Sequence, residues 1–412
     1  MAGNADNQNF WDWFVAFRSP AEIKKNHPEF LMCELCFFIC SILTFLHAQR
    51  VGGRFKYLWL GVILHGLFVE MVSYWMPDID SFWHAQGIFM FLGKRLPLYV
   101  VCLYPVFLYT ASVVVAHSGM KWWAQPPAVG LTVVMLDLPY DILGIKNLFW
   151  TWHDTDPNIY DRHYWVPWTS YFFHATFACG FTAVFQASHK LLAPNKETYQ
   201  HAGLCHETLC MLLAAMFGFP LGVLQFVFLY HPLHDTYHIH TEVCVMVLLI
   251  VYGLIVWQGD RHGQRKEIFK RKWFLDEIMT EVIIHYTYFL YLVFTSKPEN
   301  IEATGVHEPV GPCNVTQPVQ TPFGAVLSKS KYLCLENYHE DVFDFHCVKG
   351  LPAPGSHWYT ICGTPYENHM EYIVVICTVC FLGLTWCLSN LLSGPLPGHK
   401  HHQKIPNTKK QN

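Results

Sequence analysis

Residues 133–144 read VVMLDLPYDILG and place two acidic side chains inside a long apolar stretch. Asp137 and Asp141 fall on one face of a helix, because residues four apart are neighbours there. Pro139 between them has no N–H to donate, so a kink is expected at this point. Ionised carboxylates are costly in an apolar setting, where they are generally paired or functional. The stretch therefore predicts an apolar helix that carries a candidate functional site.

The same apolar character runs through the whole chain. Of its 412 residues, 52% are hydrophobic and only 14% are charged, well below the roughly 25% charged residues of a soluble domain. The small net charge of -4 gives no support to nucleic-acid binding. A membrane-spanning helix needs about 20 apolar residues, and the sequence predicts an all-α polytopic membrane protein. The nine expected transmembrane helices lie at 30–49, 57–76, 97–117, 127–148, 166–188, 207–230, 240–258, 279–296 and 371–393.

Basic residues set the expected orientation of these helices. The loop 259–278 contains RHGQRKEIFKRK, six basic residues in one short connection, which favours the cytosolic side. Counting spans outward from it places the N-terminus in the lumen and the C-terminus in the cytosol. The chain ends Lys409-Lys410-Gln-Asn, which matches a dilysine retrieval signal of endoplasmic reticulum membrane proteins. We therefore expect a multi-pass protein of the endoplasmic reticulum membrane.

The spans divide the chain into five parts. The expected organisation is a luminal N-terminal segment with an interfacial helix (1–29), an eight-helix membrane domain (30–296), a luminal cysteine-rich loop (297–370), a ninth transmembrane helix (371–393) and a cytosolic tail (394–412).

The long loop 297–370 carries two features that agree with a luminal position. Its sequon, Asn314-Val-Thr, is a glycosylation site only on the luminal face. An even number of cysteines in an oxidising compartment predicts two disulfides, with three possible connectivities. These cysteines are Cys313, Cys334, Cys347 and Cys362.

Further acidic and polar residues fall in the luminal halves of other predicted spans. Glu70, with Tyr74 one turn beyond, lies in the second span, and His174 lies in the fifth; Glu34 and Glu242 lie near the same face. Such a set predicts a water-accessible cavity, in which burial and like-charged neighbours favour a protonated carboxyl group that acts as a general acid. The alternative is that the acids pair with cationic side chains and only fix helix packing.

A histidine cluster forms a second candidate site. His231, His234 and His238 lie at helical spacing in a luminal connection, and imidazole suits zinc or non-haem iron. A metal ion is therefore a possible cofactor. The other interpretation is a hydrogen-bonded loop or a pH-sensitive surface without metal.

Several short motifs recur in a familiar order between residues 61 and 186. They are Glu70 in an apolar span, Lys94-Arg95-Leu-Pro97 before a helix, Asp137-Leu-x-x-Asp141, Trp150-x-Trp152 and Val166-Pro167-Trp168. This third of the chain resembles the integral-membrane carotenoid biosynthesis family of prokaryotic hydratases, which add water to the ends of acyclic carotenoids. Ile142 departs from the family, in which Pro follows the second Asp. The loop 297–370 and the dilysine tail have no counterpart and indicate a divergent eukaryotic member.

The resemblance implies a hydratase-like lyase that acts on an isoprenoid or other lipid alkene without a required cofactor. A carboxylic acid, one of Asp137, Asp141 and Glu70, would protonate the alkene, and water would capture the cation. The expected substrate pocket comprises Tyr74, Tyr140, Trp152, Trp168 and His174, whose aromatic faces stabilise positive charge.

Two other classes of function stay open at this point. Intramembrane acids also serve proton- or cation-coupled transporters, although no internal symmetry is visible. A non-catalytic receptor or assembly protein would use the cysteine-rich loop as its binding surface. The expected partners are the bilayer and a lipid or isoprenoid substrate, and the sequence leaves the oligomeric state open.

Glycosylation tests the orientation directly. Asn314→Gln should abolish a glycosidase-sensitive mobility shift of protein made with endoplasmic reticulum membranes, because only a luminal sequon is modified. A matched control adds an N-x-T sequon to the loop 189–206 and should remain unmodified. A glycan on this control, with none at Asn314, would reverse the predicted orientation.

Overall fold

A computed structural model describes residues 10–76, 79, 81–152, 155–261, 275–338, 340–394 and 396. The dilysine signal and most of the basic loop 259–278 lie outside the described residues. The helices in chain order are α1 (Phe10–Phe14), α2 (Pro20–Asn26), α3 (Pro28–Val51), α4 (Arg54–Trp75), α5 (Leu98–Tyr104), α6 (Thr110–Ser118), α7 (Gln125–Lys146), α8 (Trp168–Leu192), α9 (Leu204–Leu229), α10 (Thr241–Arg261), α11 (Glu277–Thr295) and α12 (His369–Ser393).

Short irregular turns connect some of these helices. A π-helical turn, Pro105–Tyr109, joins α5 to α6, a 3₁₀ turn, Trp122–Ala124, precedes α7, and a second π-helical turn, Pro232–Thr236, follows α9. The strands are β1 (Val15–Phe17), β2 (Phe82–His84), β3 (Phe89–Phe91), β4 (Leu96–Pro97), β5 (Trp150–Trp152), β6 (Arg162–His163), β7 (Val166–Pro167), β8 (Glu302–Val306), β9 (Thr316–Gln320), β10 (Val326–Ser330), β11 (Phe343–Asp344) and β12 (Trp358–Gly363).

The protein is mostly helical, and a helix lies in each of the nine windows expected from the sequence. Among the described residues, eight of these helical segments are long and apolar enough to cross a membrane. The exception is α8, which has 25 residues but is less apolar. Its polar side chains include Ser170 and His174.

The helices differ in how much of their surface the rest of the protein covers: α7 is mostly buried, whereas α9, α10 and α12 are mostly exposed. In the most apolar part of the segment that contains α7, 83% of the residues are buried, against 28% in each of α9, α10 and α12. The peripheral helices instead expose large apolar side chains, such as Phe228, Leu254 and Phe381. A helix of this kind needs an apolar environment on its outer face. The two aspartates therefore lie on the best-covered helix of the protein.

Pro139 leaves the carbonyl of Met135 without its usual helical donor, and α11 supplies a replacement. The Tyr286 hydroxyl donates to the Met135 carbonyl at 3.1 Å, and His285 Nε2 contacts the Leu136 carbonyl at 2.9 Å. Because a carbonyl only accepts, His285 carries its proton on Nε2. These two polar residues of α11 thus stabilise α7 at the backbone hydrogen bond that Pro139 removes.

A glycine allows α7 and α8 to approach closely. A Cβ at Gly130 would lie 2.4 Å from the carbonyl oxygen of Ala175 on α8, well inside contact distance. Any larger residue would push the two helices apart and separate the polar side chains that face each other across this contact.

The expectation of an all-α protein needs correction, because short antiparallel strands occupy several connections. β1 pairs with β3, β2 with β5, β3 with β4, and β6 with β7. The expected interfacial helix at the N-terminus is correspondingly short, because the chain passes from α1 directly into β1. Backbone groups outside the helices need partners, and these ladders provide them.

The cysteine-rich segment 297–370 contains two further sheets, β9–β10 and β8–β12–β11. Its two expected disulfides are present, and the pairing is Cys313–Cys334 and Cys347–Cys362. The structure thus selects one of the three connectivities that the sequence allows.

Ion pairs attach this segment to the helical part. Lys329 and Asp156 are both buried and lie 3.2 Å apart, and Arg162 contacts Glu340 at 3.1 Å. At the end of α7, the buried Lys146 contacts Glu367, which precedes α12, at 2.9 Å. The segment is therefore docked on the loop between α7 and α8.

A buried ion pair joins α4 to α9 at the other end of the helices. Arg54 Nε donates to Glu207 at 3.0 Å, and both side chains are almost completely buried. The same guanidinium also donates to the carbonyls of Thr198 and Phe185. Each guanidinium nitrogen thus donates to at least one acceptor, and such hydrogen bonds are the condition under which a buried pair is stable.

Removing one member of this pair should cost far more than removing both. Arg54→Leu leaves Glu207 buried without its cation and is expected to lower the free energy of unfolding by roughly 3–5 kcal/mol. The double variant Arg54→Leu/Glu207→Leu removes both charges and should lose much less. Thermal unfolding of the detergent-purified variants measures the difference. Equal losses in both variants would show that the charge pair does not set the stability.

Candidate functional site

The contact between α7 and α8 brings four polar side chains together. The helices are antiparallel, so Asp137 and Asp141 on α7 face His174 and Ser170 on α8, respectively. The Ser170 hydroxyl donates to Asp141 Oδ2 at 2.7 Å, and His174 Nε2 lies 3.5 Å from Asp137 Oδ1. Ligand atoms of the two aspartates and His174 lie within 4.8 Å of one another. We call Asp137, Asp141 and His174 the aspartate–histidine site.

Of the side chains in this site, the Asp137 carboxyl group has the fewest hydrogen-bond donors around it. Its side chain is completely buried, and among the described residues its hydrogen-bonding neighbour is the Asp141 carboxyl group, which is an acceptor and supplies no proton of its own when ionised. His174 is 30% exposed, so it lies between the buried aspartate and the surface of the helical bundle. Buried carboxyl groups normally accept hydrogen bonds. The Asp137 oxygens can still accept hydrogen bonds, so this carboxyl group would be stabilised by a proton, a bound ligand or a water molecule.

Two residues of the site were not predicted from the sequence. Ser170 orients Asp141. The neighbouring Tyr171 has a buried hydroxyl that finds no hydrogen-bond partner in the described part of the chain, and it lies within electrostatic range of both aspartates. A signal for Ser170 was present, because it precedes His174 by four residues. That spacing repeats the spacing of the two aspartates and puts both polar groups on one helix face.

Glu70 lies in a different place. It accepts a hydrogen bond from the Tyr104 hydroxyl at 2.8 Å. With Tyr74, His84 and Arg95 it lines a small cavity of about 10 Å³, the Glu70 cavity, which includes neither aspartate. A volume of this size holds about one water molecule. The expectation that all the acids share one cavity is thereby corrected.

The predicted aromatic residues divide between these two regions. Tyr74 lines the Glu70 cavity and donates to the Leu92 carbonyl at 2.6 Å. Trp152 packs on Phe82, which lines the same cavity.

Besides His174, two predicted aromatic residues, Tyr140 and Trp168, reach the neighbourhood of the aspartate–histidine site. Tyr140 stacks on Trp150, its hydroxyl contacts that of Tyr99, and its ring centroid lies 5.6 Å from that of Phe107. It lies within electrostatic range of Asp141. Trp168 lies against Tyr171, with ring centroids 5.8 Å apart. Phe107, which was not predicted, also lies beside the site, with its ring centroid 6.5 Å from that of His174.

The two remaining predicted acids have structural or surface positions. Glu34 is buried, and both of its oxygens accept the backbone N–H of Ile88 at 3.1 Å. A Cβ at Gly87 would lie 2.1 Å from Glu34, so the loop passes directly over the carboxylate. Glu242 is exposed at the start of α10.

The histidine cluster is held by a carboxylate. Asp235 accepts from His231 Nδ1 at 2.7 Å and from His234 Nδ1 at 2.8 Å. His238 is exposed, and no contact joins it to the other two in the described part of the chain. This arrangement matches the hydrogen-bonded interpretation of the cluster, and metal binding here stays a prediction.

The fold and the site define a mostly helical protein, with eight candidate membrane-spanning helices within the described residues and a buried aspartate–histidine site. The chain belongs to the family described as a domain of unknown function, DUF7802, whose profile matches residues 6–389. The family thus covers the helical part, the cysteine-rich segment and nearly all of α12. No curated protein and no solved structure matches the chain.

The dependence of the protein's thermal stability on pH tests whether His84, which lines the Glu70 cavity, is buried in its neutral form. Burial, followed by the nearby charge of Arg95, lowers the pKa of His84 to about 3, whereas an unfolded histidine has a pKa of about 6.5. Between these values the unfolded state binds a proton that the folded state does not, so stability falls as pH falls. His84→Phe should reduce the loss of thermal stability between pH 7.5 and about 4.5.

A matched control is His240→Phe, which replaces an exposed histidine and should leave that loss unchanged. An equal acid-induced loss in wild type and His84→Phe would contradict the buried neutral state of His84.

Proposed function

We propose that this protein is an enzyme of the endoplasmic reticulum membrane that acts on an isoprenoid or other lipid by hydratase-like acid–base chemistry. The observation that carries the proposal is the Asp137 carboxyl group, which is fully buried without a hydrogen-bond donor beside a second aspartate. A carboxyl group in this setting is cheaper to bury as the neutral acid. The neutral acid holds the proton that alkene hydration requires.

The proposed reaction begins with the Asp137 proton. Its transfer to one alkene carbon leaves a tertiary carbocation and a carboxylate. A water molecule oriented by Asp141 then bonds to the cation through oxygen, and Asp141 takes the proton that this water releases. Passage of that proton to Asp137 restores the starting state, so one water is added without oxidant, reductant or cofactor.

Neighbouring side chains have supporting roles in this scheme. Ser170 donates to Asp141 and fixes the direction of its carboxylate. His174 Nε2 lies 3.5 Å from Asp137 Oδ1 and can exchange a proton with this carboxyl group. Phe107, Tyr171 and the predicted Tyr140 are the nearby aromatic groups that would stabilise the cation. Tyr74 instead lines the Glu70 cavity.

The proposed topology has nine spans, in which the amphipathic α8 is the fifth and joins the eight more apolar helical segments. Only its outer side would meet lipid, because its polar residues face α7. The segment 297–370 is proposed to be luminal. Its disulfides fit an oxidising compartment, and the sequon residue Asn314 is exposed, as glycosylation requires.

The resemblance of residues 61–186 to carotenoid hydratases supports the same proposal. The D-L-x-x-D motif of that resemblance supplies both members of the aspartate pair. Glu70, which the resemblance also includes, lies in its own cavity. We therefore assign the reacting role to Asp137 and Asp141 and not to Glu70.

Expression in a bacterium that makes acyclic carotenoids tests this function. Wild-type protein should produce hydrated, more polar lipids, and Asp137→Asn should reduce them at least 100-fold, since general acid catalysis typically contributes 10²–10⁴-fold. Chromatography with mass detection of added water measures the product. Asp141→Asn should give a comparable loss.

The matched control is Glu242→Gln, which makes the same acid-to-amide change at an exposed position. It should leave the product at the wild-type level. Lipid profiles identical in wild type and Asp137→Asn, across isoprenoids and bulk lipids, would contradict the proposal and favour transport or receptor function.

A further inference from the structure

Within the described residues, three clusters contain histidine, cysteine and carboxylate atoms at metal-binding distances. Two of them are already satisfied. In the cluster of His189, Glu207 and Cys210, the buried Arg54 pairs with Glu207, and its positive charge opposes a second cation. In the cluster of Asp344, His346 and Cys362, the sulfur belongs to a disulfide and offers no thiolate.

The aspartate–histidine site is the remaining cluster, and no cationic side chain contacts it among the described residues. The Asp137 oxygens have no hydrogen-bond donor, although the side chain is completely buried. Its Oδ1 lies 3.5 Å from His174 Nε2. Two ligand atoms bound to one tetrahedral zinc ion stand about 3.4 Å apart, because each lies about 2.0–2.1 Å from the metal.

We infer that Asp137, Asp141 and His174 form a binding site for a divalent transition-metal cation such as Zn²⁺. Two carboxylates and one imidazole are the hard and borderline ligands that this class of ion accepts. Three protein ligands leave one tetrahedral position for water. Ser170, which donates to Asp141, is the outer group that orients a ligand carboxylate.

This site shares its residues with the proposed function, and the two uses of Asp137 exclude each other. Proton donation needs the protonated acid, whereas metal ligation needs the ionised form. A bound cation therefore blocks proton transfer, and Zn²⁺ acts as an inhibitor of the proposed hydration. The inference itself does not require that hydration occurs, because binding is measured without lipid substrate.

The test uses the full-length protein, purified in detergent and stripped of metal with a chelator. Titration with ZnCl₂ alone, followed by calorimetry, should show about one bound ion per chain for a three-ligand site. Asp137→Asn and His174→Gln should each weaken binding at least tenfold, because even outer partners of ligands change affinity 10–100-fold. Co²⁺ supplies a second readout, since its visible absorption in wild type should be lost in His174→Gln.

The control is His357→Gln, which makes the same change at an exposed histidine outside both clusters and should leave zinc affinity unchanged. His231→Gln is the variant that tests the competing histidine cluster. His174 is partly exposed, so His174→Gln keeps the test valid where a change at the buried Asp137 impairs folding. Absence of zinc binding by wild-type protein would overturn the inference. So would undiminished binding by folded His174→Gln, or a loss confined to His231→Gln. None of these results bears on the lipid products that test the proposed function.

Discussion

Asp137 on α7 and His174 on α8 lie 3.5 Å apart inside the best-covered part of the helical bundle. A carboxyl group in that position has a large cost unless something satisfies it. Neighbouring features bring the two helices into this contact. Gly130 permits the close approach of α7 to α8, and Ser170 fixes the second carboxylate one turn away.

The same constraint explains why other elements pack against α7. Pro139 between the aspartates frees a carbonyl, and Tyr286 of α11 supplies the missing donor. At the end of α7, Lys146 is buried and contacts Glu367 beside α12. The cysteine-rich segment then covers the connection from α7 to α8 through the buried pair of Lys329 and Asp156. The contacts of α11, of Glu367 and of the cysteine-rich segment thus hold α7, and with it the aspartate pair, in place.

Much of the helical framework could be predicted, because apolar length and helical spacing are local properties of a sequence. The position of α8 was expected, although its polar side chains lower its hydropathy below that of the other spans. The shared face of Asp137 and Asp141 also followed from spacing alone. The short strands in the connections were missed, since two- or three-residue ladders leave no periodic pattern.

Partners in space could not be read from the sequence. Glu70 and Glu34 resemble the two aspartates in composition and context, but their actual partners are Tyr104 and the N–H of Ile88. The number of disulfides followed from the count of cysteines, whereas their pairing depends on which strands lie side by side. His231 and His234 matched metal spacing, yet Asp235, which directly follows His234, accepts a hydrogen bond from both.

The central claim is that a lipid reaches the contact between α7 and α8. A polyprenyl lipid with a diazirine at its unsaturated end, photolysed in membranes that contain the protein, tests this claim directly. Mass spectrometry of the labelled peptides should place the cross-links in 133–144 and 168–178, with less labelling when an unmodified polyprenyl lipid competes. Labelling confined to the exposed apolar faces of α9, α10 and α12, and insensitive to the competitor, would contradict the account.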